Sequence, residues 1–207
     1  MPENRARPEG SLIQLHVAVF RSRSEEPEND PVVHLAGGPG SSSLGVAGYI
    51  LGQGMDAILE QRDLILFDQR GTGYSQPRLD CPEREALTPT LLEGSLSQRA
   101  EQDAIVEALR ECRERLTEEG VDLSAYNSAA SAADVNDLRR ALGYTKINLY
   151  GVSYGTRLGL TVMRDYPQAV RSAVLDSAYP PQVNLYTSLA PNAERAFNQL
   201  FAGCTAD

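Results

Sequence analysis

The chain is short of histidine, cysteine and uninterrupted apolar stretches, and each shortage removes a class of function. Of its 207 residues two are histidine, His16 and His34, and three are cysteine, Cys81, Cys112 and Cys204. No Cys-x-x-Cys pair occurs and the histidines lie far from the cysteines, so no metal site is expected. No apolar run approaches the roughly 20 residues of a membrane span. The polar start, MPENRARPEG, has no apolar core of a signal peptide. Either the protein is cytoplasmic or its true N-terminus lies elsewhere. Positive charge is scarce too: 19 Lys and Arg stand against 28 Asp and Glu, a net charge of −9. That balance argues against nucleic acid or an anionic membrane surface as a partner. What is present, 42% hydrophobic and 23% charged residues, is ordinary for a globular protein. The length fits one domain with a substantial core.

The most informative stretch is Lys146 to Leu160, KINLYGVSYGTRLGL. An apolar run, Ile147 to Tyr150, meets Gly151-Val152-Ser153-Tyr154-Gly155 and then a helix-compatible segment. Strand, sharp turn and helix around G-x-S-x-G form a nucleophile elbow. Ser153 at its tip is the candidate nucleophile. A side chain at 151 or 155 would collide with neighbouring backbone, so glycine is the residue that fits. The helix beginning near Tyr154 turns free N–H groups and its positive dipole end toward the serine, which favours an oxyanion. The bland alternative is a serine in an ordinary glycine-flanked turn.

The remaining chain alternates strands and helices. Ser11 to Phe20 alternates apolar and polar residues and predicts a half-buried strand, with His16 on the solvated face. Arg21 to Asp30 is charged and reads as a hairpin or surface connection. Pro31 to Ala36 predicts a buried strand in which His34 is a core histidine. Gly37-Gly38-Pro39-Gly40 and Ser41 to Ser43 end that strand. The loop lacks the Gly-Lys-Ser/Thr ending of a phosphate loop, so no nucleotide cofactor is expected. An oxyanion loop, where glycine lets backbone N–H approach a carbonyl, is the better reading.

A short helix is expected over Met55 to Gln61 and a buried strand over Asp63 to Asp68, closed by a polar turn at its carboxyl end. In that turn Asp68 and Arg70 either bind substrate or cross-link loops, and cross-linking is preferred. Residues 76 to 96 read as a long connection. Ser97 to Glu119 is helical, with Ile105, Leu109, Cys112 and Leu116 as its stripe. Ser131 to Leu142 predicts a second helix, with Ser131 and Asp134 as a capping pair and Gly143 as its stop. Arg171 to Asp176 predicts another buried strand, and Ala190 to Phe201 a last helix. The alternation predicts an α/β fold with a mostly parallel sheet and crossover helices.

HLAGGPGSSS, DQRGTGYSQP, YNSAASAADVNDLRRALGY, and INLYGVSYGTRLGL followed by VRSAVLDSAYPP together resemble the α/β-hydrolase family of prolyl iminopeptidases. The closer likeness is to its tripeptidyl-aminopeptidase-like branch, and it spans essentially the whole chain. The resemblance implies that Ser153 is acylated and that Gly38 and Tyr154 donate the oxyanion-hole N–H groups. Gly37, Pro39, Gly40, Arg70, Gly151 and Gly155 would shape the site. Ala36 stands where the family motif has histidine, so His34 inherits no role. Members of the branch are commonly exported, to the periplasm or outside the cell, which implies a Cys81–Cys112 disulfide and leaves Cys204 without a partner.

The same resemblance exposes a gap. The fold's order is Ser, then acid, then His, yet both histidines precede Ser153. Asp176, after the nucleophile, is either an acid or a structural aspartate accepting loop N–H groups, and the latter is preferred. Residues 1 to 207 are therefore expected to be the N-terminal portion of one α/β-hydrolase domain, lacking its last strands and cap. The base would come from a missing C-terminal portion or a partner chain. The expected function is a serine aminopeptidase acting on a peptide or small acyl substrate, inactive in this form. An esterase and a non-catalytic fragment are the alternatives.

Overall fold

Three apolar runs become the inner strands of one sheet. In a computed structural model that describes residues 1–204, the strands are β1 (Val17–Phe20), β2 (Glu28–Leu35), β3 (Arg62–Phe67), β4 (Ile147–Val152) and β5 (Val170–Asp176). Their order is β1-β3-β2-β4-β5. β1 runs antiparallel to β3, and every other pair is parallel. The order reverses at β2. From β2 the chain goes outward to β3 on one side, then returns to β4 on the other. That reversal opens a crevice at the carboxyl ends of β2 and β4, where doubly wound sheets place their sites.

Alternation sorts each inner strand onto two faces. Val33, Leu35, Ile65, Phe67, Ile147 and Leu149 pack on one face, against Ala132, Val135, Leu138, Leu158 and Val162. Those last five belong to α5 (Ser128–Ala141) and α6 (Tyr154–Asp165). Each fully buried aliphatic or aromatic side chain there contributes about 1.5–3 kcal/mol. On the other face Leu64 and Leu66 pack against Ile50 and Leu59. These come from the short helix α1 (Ala47–Gly52) and a 3₁₀ segment, Met55–Glu60.

The departures from expectation have tertiary causes. The first strand shrinks to Val17–Phe20 because β3, its partner, ends at Phe67 opposite Val17. Residues before it run past the sheet, making single bridges from Leu12 to Pro2 and from Gln14 to Gln76, though Ile13 still faces inward. No hairpin joins β1 to β2, since β3 lies between them. The connection at 76–96 is not featureless: it holds α2 (Pro82–Glu85) and α3 (Thr88–Leu92). On α4 (Gln98–Glu118) the inward residues are Ala108, Cys112 and Leu116. Leu109 is half exposed, because α4 packs on α2 through a narrower stripe than the sequence suggested.

α5 starts a turn earlier than expected, capped by Asn127, whose side chain accepts from Ala130 N–H. Ser131 and Asp134 therefore lie buried inside the helix rather than at its cap. β5 is not a buried strand. It is the sheet's outer edge, and Arg171, Ser172, Val174 and Asp176 are exposed. The last helix, α7 (Leu185–Cys204), is longer than the sequence predicted and buries none of its described residues. No helix among the described residues is long and apolar enough to cross a membrane.

Candidate active site

Ser153 follows β4 directly and precedes the first residue of α6. Its backbone is at φ 53°, ψ −118°, a region that non-glycine residues seldom occupy and that costs on the order of 1–3 kcal/mol. The surroundings hold it there. Its N–H donates to Asp176 O on β5 (2.9 Å), while its carbonyl accepts from Thr156 N–H (3.0 Å) and Thr156 Oγ1 (2.7 Å). The residue is exposed. This backbone presents the hydroxyl at the crevice mouth instead of burying it.

The two elbow glycines are needed because backbone meets backbone on both sides of the serine. A Cβ on Gly151 would stand 2.6 Å from Gly155 O and 2.9 Å from Thr156 N. A Cβ on Gly155 would overlap the Leu35 carbonyl oxygen of β2. The glycine loop after β2 closes over the same point. A Cβ on Gly37 would lie 2.9 Å from Val152 O and 3.1 Å from Ser153 Cβ. Gly38 and Gly40 both have φ 108°, flanking a cis bond to Pro39. Tyr154, first in α6, has an N–H without an intrahelical acceptor. The structure thus brings Gly37, the residue before Gly38, close to Ser153 and so to the start of α6 at Tyr154, from segments over a hundred residues apart in the chain.

Three comparisons with known proteins bear on this arrangement. A family model described as the alpha/beta hydrolase fold matches residues 30–203. The chain belongs to the α/β-hydrolase fold family. It is 28% identical over 213 aligned positions to the serine protease Hip1 of Mycobacterium tuberculosis, covering 99% of this chain and 40% of that protein. It is 30% identical over 189 positions to the tripeptidyl aminopeptidase of Streptomyces lividans, covering 87% of this chain and 34% of that one. The chain therefore spans well under half the length of these relatives. In fold it is similar to the crystal structure of proline iminopeptidase from Mycobacterium smegmatis, with a TM-score of 0.50, 19% identity, and 78% of this chain and 39% of that one covered.

In this α/β-hydrolase chain neither histidine ring hydrogen-bonds to Ser153. His16 is exposed, its ring 6.3 Å from that of Tyr74. His34 is buried on β2, with Nδ1 3.2 Å from Ser43 Oγ and its ring stacked on Tyr150. Burial lowers its pKa from 6.5 to about 4. The folded protein thus keeps His34 neutral where the unfolded chain would bind a proton. Its contribution to stability is complete above pH 6.5, falls as pH drops through that value, and levels off below about 4. The loss amounts to about 3 kcal/mol. Urea midpoints should fall steeply between pH 6.5 and 4 in the wild type, and the slope should flatten in His34→Gln. An equal slope in the variant would assign the transition to other groups.

Asp176 differs from the sequence reading. Its carboxylate accepts from two hydroxyls, Ser177 Oγ (3.1 Å) and Tyr150 OH (3.4 Å), rather than from loop N–H groups. Its backbone carbonyl takes the Ser153 N–H. Arg70 cross-links, as preferred, but through a partner the sequence did not offer. Nε and Nη2 donate to both oxygens of Asp134 at 2.7 Å, and Nη1 donates to the carbonyls of Glu3 and Ala125. Arg5 adds a second guanidinium on Asp134 (2.6 Å). This network ties the N-terminal segment and α5 to the turn after β3. Beside it a cleft of about 300 Å³ runs past Pro39, Gly40, Gly71, Leu79, Asp80 and Tyr154. A disulfide joins Cys81 to Cys112 behind that wall, and Cys204 is free and exposed.

Proposed function

We propose that Ser153 is the nucleophile of a serine hydrolase of the aminopeptidase type. It attacks a carbonyl carbon, its Oγ proton passes through a general base to the departing amine as the C–N bond breaks, and an acyl group remains on Oγ. The Gly38 and Tyr154 N–H groups take the charge that develops on the carbonyl oxygen, while Gly37, Gly151 and Gly155 let backbone crowd the reacting atoms and Pro39 and Gly40, the latter at φ 108°, turn the loop beside them. Arg70 shapes the site from behind. The observation that carries this reading is a strained, exposed elbow at Ser153 that Gly37 approaches too closely to carry a Cβ. Similarity to proteins named serine protease and tripeptidyl aminopeptidase supports a peptide as substrate.

The proton acceptor is not among these residues. We read residues 1–207 as the N-terminal portion of one domain, with the acid and histidine supplied by a further portion of chain or by a partner chain. A missing general base slows bond formation by about 10²–10⁴. The 207-residue chain should therefore react with a fluorophosphonate at Ser153 that much more slowly than a complete serine hydrolase, and Ser153→Ala should abolish the adduct. Labelling at the rate of a complete enzyme would refute the missing base. An adduct surviving in Ser153→Ala would refute the nucleophile. Tripeptidyl amides and short-chain esters, offered to a preparation carrying the completing portion, then decide the acyl donor. Preference for esters would replace peptidase by esterase.

A further inference from the structure

Asp68, which follows β3, is fully buried. The groups holding its carboxylate are hydroxyl and amide donors. Ser42 Oγ lies 2.8 Å from Oδ1 and 2.9 Å from Oδ2, Leu44 N–H donates to Oδ1 (3.1 Å), and Tyr74 N–H donates to Oδ2 (2.8 Å). Arg70, two residues on, spends its guanidinium on Asp134 and two carbonyls. Gly73, at φ 54°, sits so close that a Cβ there would overlap Asp68 Oδ2. The turn after β3 is thus folded tightly around this one carboxylate.

Two of the donors, Ser42 and Leu44, belong to the loop that begins with Gly37. Next to Asp68, Gln69 Nε2 donates to Ala36 O (3.1 Å), just before the same loop. The loop is therefore clamped at Ala36 and again at Ser42 to Leu44, both times from the β3 turn. Between the clamps, Ser41 N–H to Gly37 O (3.4 Å) is the one backbone hydrogen bond among the described residues. Gly38 lies in that span. The clamps hold both ends of the span that carries its N–H.

We infer that Asp68 is a positioning residue for the oxyanion loop, fixing the Gly38 N–H toward Ser153 by gathering the Ser42, Leu44 and Tyr74 donors. The inference rests on reading Gly38 as an oxyanion donor. The chemistry requires a carboxylate. Three donors converge on two oxygens, and an asparagine would turn its own N–H groups toward at least one of them. Preorganised donors stabilise a developing charge without reorienting during the reaction, so a loosened loop loses rate rather than ligand affinity.

The test is Asp68→Asn in the 207-residue chain, read two ways. Amide hydrogen exchange should accelerate at least about tenfold over residues 38–44, with β2 and β4 unchanged. Labelling of Ser153 by a saturating fluorophosphonate should slow about tenfold in the bond-forming step, with the half-saturating concentration unchanged. Lower stability alone, with loop exchange and per-folded-molecule labelling as in the wild type, overturns the proposal. Should the Ser153→Ala protein carry the same adduct while loop exchange responds as expected, the nucleophile reading falls and the clamp stands. Ser42→Ala keeps the acid and removes one donor. It should give a smaller change of the same sign if Asp68→Asn does not fold, and unchanged exchange in it also overturns the proposal.

Discussion

Gly155→Ala is expected to leave little folded protein. Position 155 is the second residue of α6, and the atoms its Cβ would meet are the Leu35 carbonyl oxygen, Leu35 C at 2.7 Å and Ala36 O at 3.1 Å. All three are backbone of β2 or of the residue following it. A flexible side chain could swing aside, but these atoms are held by two parallel ladders, Leu35 being paired with Gly151. Relief would require α6 to lift from the sheet and take Leu158 and Val162 out of the core. Overpacking usually costs about 1–3 kcal/mol when side chains can yield. With only backbone to yield, at least about 4 kcal/mol is expected. The control is Gly48→Ala on α1, where nothing lies within 4 Å of the new Cβ and a gain of up to about 1 kcal/mol is expected. Circular dichroism with urea titration of both variants checks the pair. A Gly155→Ala protein within 1 kcal/mol of wild type would show that α6 does not approach β2 as closely as described.

Asp134→Ala is the second large effect. It removes an acceptor whose side chain is 1% exposed and leaves the equally buried Arg70 guanidinium with two carbonyl partners but no counter-charge. Breaking a buried pair from one side costs about 3–5 kcal/mol, since the remaining charge has lost both its partner and its water. Arg5 would lose one of its two acids and keep Asp137. The stability loss should be much smaller in the double variant Arg70→Met, Asp134→Leu, where no buried charge is stranded. Equilibrium denaturation of the single and double variants decides. A single variant losing under 1 kcal/mol would mean that water reaches Arg70.

Much of the architecture was legible because its signals are local. The runs at Pro31 to Ala36, Asp63 to Asp68 and Ile147 to Tyr150 fall on the three inner strands, since burial on both faces demands continuous apolar sequence. Gly143, at φ 82°, marks the end of α5 for a reason that a single residue carries. Edges and partners were not legible. VRSAVLD looks like an inner strand, and only the sheet order makes β5 the exposed edge. Asp134, three residues after Ser131, imitates a capping pair, and nothing nearby in sequence reveals that Arg70, 64 residues earlier, fills its acceptors.

The site divides in the same way. By itself the sequence determined the elbow, since glycine on both sides of Ser153 between an apolar run and a helix is a short-range pattern with a short-range cause. It also determined that both histidines precede that serine. Only the tertiary structure decided what faces Ser153: the Gly37 backbone, the Asp176 carbonyl, and a glycine loop clamped from Asp68 and Gln69. Those contacts join segments from β2, β3, β4 and β5. A contact between distant segments depends on strand order and register, which the composition of neither segment encodes.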